Sequence, residues 1–200
     1  MRRYNASQLI DQLQAHVRQM TLRVTQLKTT DPGVLLEQPA PGKWSIVEIL
    51  SHLNSYSSYY NKAIESSLQS NKAAKLFFKP GWLGDFFTRL MSPSENGKVK
   101  NKMKAPKNHR PPRTLDSLPV LNEFLSNQHH LLDLLELAKT KNIGSIRTPI
   151  SISQFIRLKA GDVFRFLIAH QQRHFIQLEN AFLSVGQIRR DKYPADLPAS

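Results

Sequence analysis

The stretch FRFLIAHQQRHFIQLEN, Phe164–Asn180, carries apolar residues at helical spacing, and two histidines break into its apolar row. Counting from Val163, the stripe runs Val163, Leu167, His170, His174, Leu178 and Ala181. A stripe of this kind faces a protein interior, so both imidazoles are predicted to point inward. Residues four apart on a helix lie roughly 6 Å apart at Cβ, which is the spacing of a metal clamp. A third histidine, His52, falls in WSIVEILSHLNSYSSYY, Trp44–Tyr60, a second amphipathic segment more than a hundred residues earlier. Folding that joins these two helices would gather three imidazoles and leave a coordination position open, whereas a fourth protein ligand would make the site structural.

Working outward, apolar residues at Leu9, Leu13, Val17, Met20, Val24 and Leu27 predict a first helix over Ala6–Lys28. The segment TTDPGVLLEQPAPGK, with three prolines and two glycines, reads as a loop. Ser45 and Glu48 then form a capping box, with Trp44 and Ile49 placed to close a hydrophobic staple. The second helix is therefore predicted from Ser45 through Ile49, Leu53, Tyr56, Tyr60 and Ala63 or Ile64. The region from about Ser70 to Pro112 reads as irregular, its first half ordered by Phe77, Phe78, Trp82, Phe86 and Phe87 and its second half mobile. A third helix is expected from Asp116 or Ser117, with Leu121, Leu125, Leu132 and Leu135 reaching the core. After the loop KNIGSIRTPISIS, the fourth helix begins near Gly161 or Asp162.

Four long helices, each with one apolar stripe to bury and a long crossover between the second and third, make an all-α four-helix bundle the economical fold. The 200 residues, 40% of them hydrophobic, fit a single domain spanning 1–200. Within it, residues 94–113 are expected to form a basic, mobile linker: Lys98, Lys100, Lys102, Lys104, Lys107, Arg110 and Arg113 share a segment with Pro106, Pro111 and Pro112. No cysteine is present, which excludes disulfides, thiolate ligands and a cysteine nucleophile, so any thiol in the chemistry comes from outside. The opening stretch MRRYNASQLIDQLQAHVRQM does not read as a signal peptide, and no segment approaches the roughly 18 apolar residues of a membrane span. A cytoplasmic protein without membrane attachment is the expectation. The net charge of +13 admits a nucleic-acid partner, but the basic run has no interleaved aromatic residue to stack a base. It is therefore expected to be a solvated loop.

The elements PGKWSIVEILSHL and FRFLIAHQQRH, with the first helix and the long crossover, resemble the DinB-like superfamily, which includes bacterial thiol-dependent transferases and isomerases. The resemblance spans nearly the whole chain, the middle by layout only. It implies a divalent metal, zinc or nickel, held by one histidine of the second helix and two of the last; His52, His170 and His174 fill those positions. It also implies a homodimer and a small-molecule substrate, with a low-molecular-weight thiol as cosubstrate.

The resulting expectation is a metal-dependent enzyme whose ion activates an exogenous thiol or water, as a thiol S-transferase or a hydrolase. The alternative is a non-catalytic bundle with a structural or vestigial metal site, acting as an interaction module. No residue is assigned as general base. Gln171, Glu48 and the helix-two tyrosines are the candidates to hold the ligand rings, while His16 is expected to be a packed imidazole, His129 and His130 a polar edge, and His109 part of the linker.

Overall fold

The computed structural model describes residues 3–93, 104–151 and 153–192. Its long helices are α1 (Ala6–Leu27), α3 (Ile46–Leu68), α5 (Ser117–Ala138) and α6 (Ala160–Lys192), and shorter helices α2 (Pro32–Leu36) and α4 (Trp82–Met91) lie between them. Two small antiparallel sheets complete the described structure: β1 (Tyr4–Asn5) with β2 (Phe77–Phe78), and β3 (Arg147–Ile150) with β4 (Ser153–Lys159). The protein is thus mostly helical. It departs from a purely α reading at these strands, and at α4, which lies within the stretch read as irregular. There the aromatic residues serve a helix rather than isolated anchors.

Three of the long helices start at a capping side chain. Asn5 caps α1 by accepting from the Gln8 amide, and Asp116 caps α5 through the Leu118 amide. At α3 the predicted capping box is complete: Ser45 Oγ accepts from the Glu48 amide at 3.2 Å, and Glu48 accepts from the Ser45 amide at 2.7 Å. The chain enters this cap through a turn closed by the Lys43 amide on the Ala40 carbonyl. Gly42 takes φ of +74° there, after Pro41, the residue order of a type II turn.

α1 packs on α5 and α6, and α3 packs on the same two helices. The core is filled by Val17, Val24 and Leu27 of α1, Ile49, Leu53, Tyr60 and Ile64 of α3, Phe124, Leu131 and Leu135 of α5, and Val163, Phe164 and Leu167 of α6. On α5 the buried stripe includes Phe124 and Leu131, while the expected Leu125 and Leu132 are only partly buried. α5 faces both α1 and α3, so its apolar surface is wider than one line of residues.

Two side chains set the register of α3 against α5. Asn54 Nδ2 donates to the Val120 carbonyl at 3.0 Å, and Asn61 Nδ2 donates to the Asn127 carbonyl at 2.9 Å, seven residues apart on both helices. A buried amide that loses such a partner carries the desolvation cost alone, so these bonds resist rotation of α3. His52, two residues before Asn54, is held toward α6 by the same register.

α4 is anchored beside the first turns of α6. Asp162 accepts from the Gly81 amide at 2.8 Å, and Arg165 pairs with Asp85 at 2.9 Å and Asp162 at 3.4 Å. Helix α4 comes so close that a Cβ on Gly84 would overlap the Asp162 side chain. Gly84→Ala is therefore expected to destabilise the fold by about 1–3 kcal/mol in a urea melt, because overpacking against a tethered carboxylate exceeds the roughly 1 kcal/mol gained in helix propensity. A more stable variant would show that the two helices can separate freely.

Candidate metal centre

His52 lies two turns into α3, and His170 and His174 lie on successive turns of α6. The contact between α3 and α6 brings them together: each offers a ring nitrogen, and the three nitrogens lie within 4.8 Å of one another. Ring centroids are 5.3 Å apart for His52 and His170, 4.6 Å for His52 and His174, and 4.6 Å for His170 and His174. The ligating nitrogens of imidazoles on one tetrahedral ion at 2.0–2.1 Å stand about 3.4 Å apart, so this cluster, with ring nitrogens within 4.8 Å, could hold a cation with small side-chain movements. No carboxylate, cysteine or further histidine joins the group among the described residues.

His52 and His170 are buried, and His174 is partly exposed. Trp44, itself partly exposed, packs its ring 4.9 Å from His52 and 6.3 Å from His174. Tyr56 covers the other flank, 5.1 Å from His52 and 4.5 Å from His170. Burial pushes the Tyr56 hydroxyl up to about 12, with the nearby Tyr60 adding to the shift, so it is a protonated phenol near neutral pH.

Burial also pushes all three imidazoles below their ordinary 6.5, and His174 down to about 3. His170 and His174 are lowered further by neighbouring rings, His174 and His52 for the former and His52 for the latter. All three are neutral at pH 7 and present lone pairs rather than charges.

Hydrogen bonds identify which nitrogens are free. His52 Nδ1 lies 2.6 Å from the His109 carbonyl, which can only accept, so the proton is on Nδ1 and Nε2 carries the lone pair. His174 Nδ1 lies 3.0 Å from Gln177 Oε1, giving the same tautomer when that oxygen accepts. Nδ1 of His170 is sealed from solvent without a partner. Three clustered neutral imidazoles, with ring nitrogens close together and lone pairs to give, form a donor set that suits a divalent cation.

The candidates for holding the ligand rings are otherwise engaged. Gln171 Nε2 donates to Ser57 Oγ at 3.3 Å, and Glu48 is spent on the α3 cap and on Gln38. Of the α3 tyrosines, Tyr56 contacts the rings by its face and edge. The sequence reading missed His109 and Gln177. Gln177 was legible in principle, three residues after His174 on the same helix, but His109 sits between basic and proline residues with no pattern to single it out. The other histidines lie apart: His16 is exposed and not packed as expected, His129 is exposed, and His130 is 3.6 Å from Glu65. His16 lines a groove of about 590 Å³ between α1 and α6, with Phe175 and Glu179, and this groove includes none of the three clustered histidines.

A mostly helical protein in which two distant helices present three neutral imidazoles, two of them buried, is compatible with a metal centre. The chain belongs to the DinB superfamily, whose family model matches residues 12–178 and so includes all three histidines. Comparison with curated proteins and with solved structures gives no match. No helix among the described residues is long and apolar enough to cross a membrane.

Proposed function

We propose that His52, His170 and His174 hold a divalent cation, zinc or nickel, in a four-helix bundle formed by α1, α3, α5 and α6, and that the protein is a metal-dependent enzyme acting with an exogenous thiol or water. The supporting observation is the set of three nitrogens within 4.8 Å with no fourth ligating side chain beside them among the described residues. Three protein ligands leave room for an incoming molecule, as in catalytic rather than structural sites. A divalent ion bound there would lower the pKa of a coordinated thiol or water and so favour the anion at neutral pH.

The chain's own residues supply orientation and exclusion of water. His109 and Gln177 fix the tautomers of two ligand rings, while Trp44 and Tyr56 wall the cluster with aromatic surface. The absence of cysteine is consistent with a low-molecular-weight thiol as cosubstrate, which makes thiol S-transfer the first reading and hydrolysis the second. A small-molecule substrate, a homodimer and a cytoplasmic setting complete the proposal, and nucleic acid is not a proposed partner.

Elemental analysis of protein purified without added metal tests the site. About one zinc or nickel per chain is expected in the parent, and none in His170→Ala/His174→Ala. A screen of cellular thiols against electrophiles, giving turnover in the parent alone, tests the reaction. Exposed Trp82, Phe86 and Phe155 favour the second reading, a non-catalytic interaction module whose metal is structural or vestigial. Stoichiometric metal without any exchangeable small-molecule ligand would select it.

A further inference from the structure

His109 is 6% exposed, although it stands in a segment of exposed neighbours: Lys107, Asn108 and Arg110 all face solvent. The segment folds into a single 3-10 turn, Lys107–His109, closed by the His109 amide on the Pro106 carbonyl at 3.0 Å. Arg110 Nε donates to the Ala105 carbonyl at 3.0 Å, which ties the two sides of the turn together. The His109 ring alone reaches inward, where it stacks on Tyr56 with centroids 3.8 Å apart and planes inclined by 24°.

Proton accounting assigns its polar contacts. Ser55 Oγ donates its only hydrogen to the His52 carbonyl at 2.8 Å, so toward His109 Nδ1, 3.0 Å away, it must accept. His109 therefore carries its proton on Nδ1, and its buried Nε2 is a lone pair with no donor. A buried acceptor without a partner opposes folding, which makes the inserted ring a poor device for stability alone. Its insertion does place the main-chain carbonyl of the same residue 2.6 Å from His52 Nδ1.

We propose that His109 is a positioning residue: its ring, wedged between Ser55 and Tyr56, holds its own carbonyl against His52 and locks that ring as the Nδ1–H tautomer with Nε2 turned to the cluster. The inference rests on the metal reading for its purpose but not for its test. In a neutral histidine without a fixed partner both tautomers exchange, so a ligand ring needs its second nitrogen committed to present the first. The locking group is thus a backbone atom, and the side chain acts through it.

The tautomer is readable in metal-free protein from the imidazole ¹⁵N shifts of labelled histidine at neutral pH. The parent should show His52 as Nδ1–H alone, and His109→Ala should show a tautomer mixture for His52 with His174 unchanged. Ser55→Ala, which removes the tether to the ring along with the hydroxyl's bond to the His52 main-chain carbonyl, should give a smaller admixture and serves as the test if His109→Ala does not fold. In the same proteins, chelator competition with zinc and nickel ions should show affinity lowered about 10–100-fold in His109→Ala, the range for loss of an orienting partner. An unchanged His52 tautomer in the folded variants would overturn the inference. A parent that binds neither ion would overturn the metal reading, and the tautomer result would still decide this one.

Discussion

Acidifying the metal-free protein from about pH 6.5 to about 5 is expected to lower its folding stability, by about 1.5–2 kcal/mol for His174 and further in the same direction for His170. Burial, reinforced by the adjacent rings, holds both folded-state values below 6.5, the value expected once the chain unfolds. Between those limits the unfolded chain binds more protons than the folded one. The stabilisation is therefore complete above about 6.5 and is lost as the pH falls toward the folded-state values, near 3 for His174. Urea melts at several pH values measure it, with His170→Ala/His174→Ala as the comparison. Asp162, raised by burial, works in the opposite direction, but it is common to both proteins and cancels. Equal pH slopes in parent and double variant would mean that the two imidazoles are not kept neutral by the fold. The same neutrality predicts that bound metal resists displacement at pH 6, where ordinary imidazoles are largely protonated and compete poorly as ligands.

His52→Ala is expected to weaken zinc or nickel binding at least about 100-fold, beyond the loss typical of removing a ligand's hydrogen-bond partner. This position matters more as a test than either histidine of α6. A pair four apart on one helix can chelate an ion without any tertiary structure, so loss on changing His170 or His174 does not report on the fold. Only the packing of α3 on α6 brings His52 to the pair, at centroid distances of 5.3 and 4.6 Å. Chelator competition measures the affinity, and a melt of the apo variant checks that the fold survives. Unchanged affinity would show that the α6 pair recruits another ligand and would remove His52 from the site.

Much of this was legible in the residues. The apolar row from Val163 to Ala181 interrupted by two histidines, and the capping box at Ser45 and Glu48, place the histidine pair on α6 and the start of α3 within a residue or so. Both signals are local, arising from the period of a helix and from the hydrogen-bond needs of its first turn. The α4 helix was less legible because its ten residues are bounded by no side-chain cap. The stripe of α5 was misplaced by one residue at Leu125 and Leu132 because a helix packed on two neighbours buries a broad face, and periodicity alone does not choose its centre. Residues 94–103 of the basic stretch lie outside the described residues, while Lys104–Arg113 carry the turn that inserts His109.

Sequence alone determined where the four long helices run, most of the residues they bury, and that three imidazoles stand on inward stripes, because each of these depends on neighbours within one or two helical turns. Tertiary packing decided that the three rings meet, through the contact of α3 with α6. It also decided that a main-chain carbonyl from a proline-flanked turn holds His52. A backbone oxygen is the same in every residue, so its role has no trace in residue identity. It acquires one only when distant segments are brought within hydrogen-bonding distance.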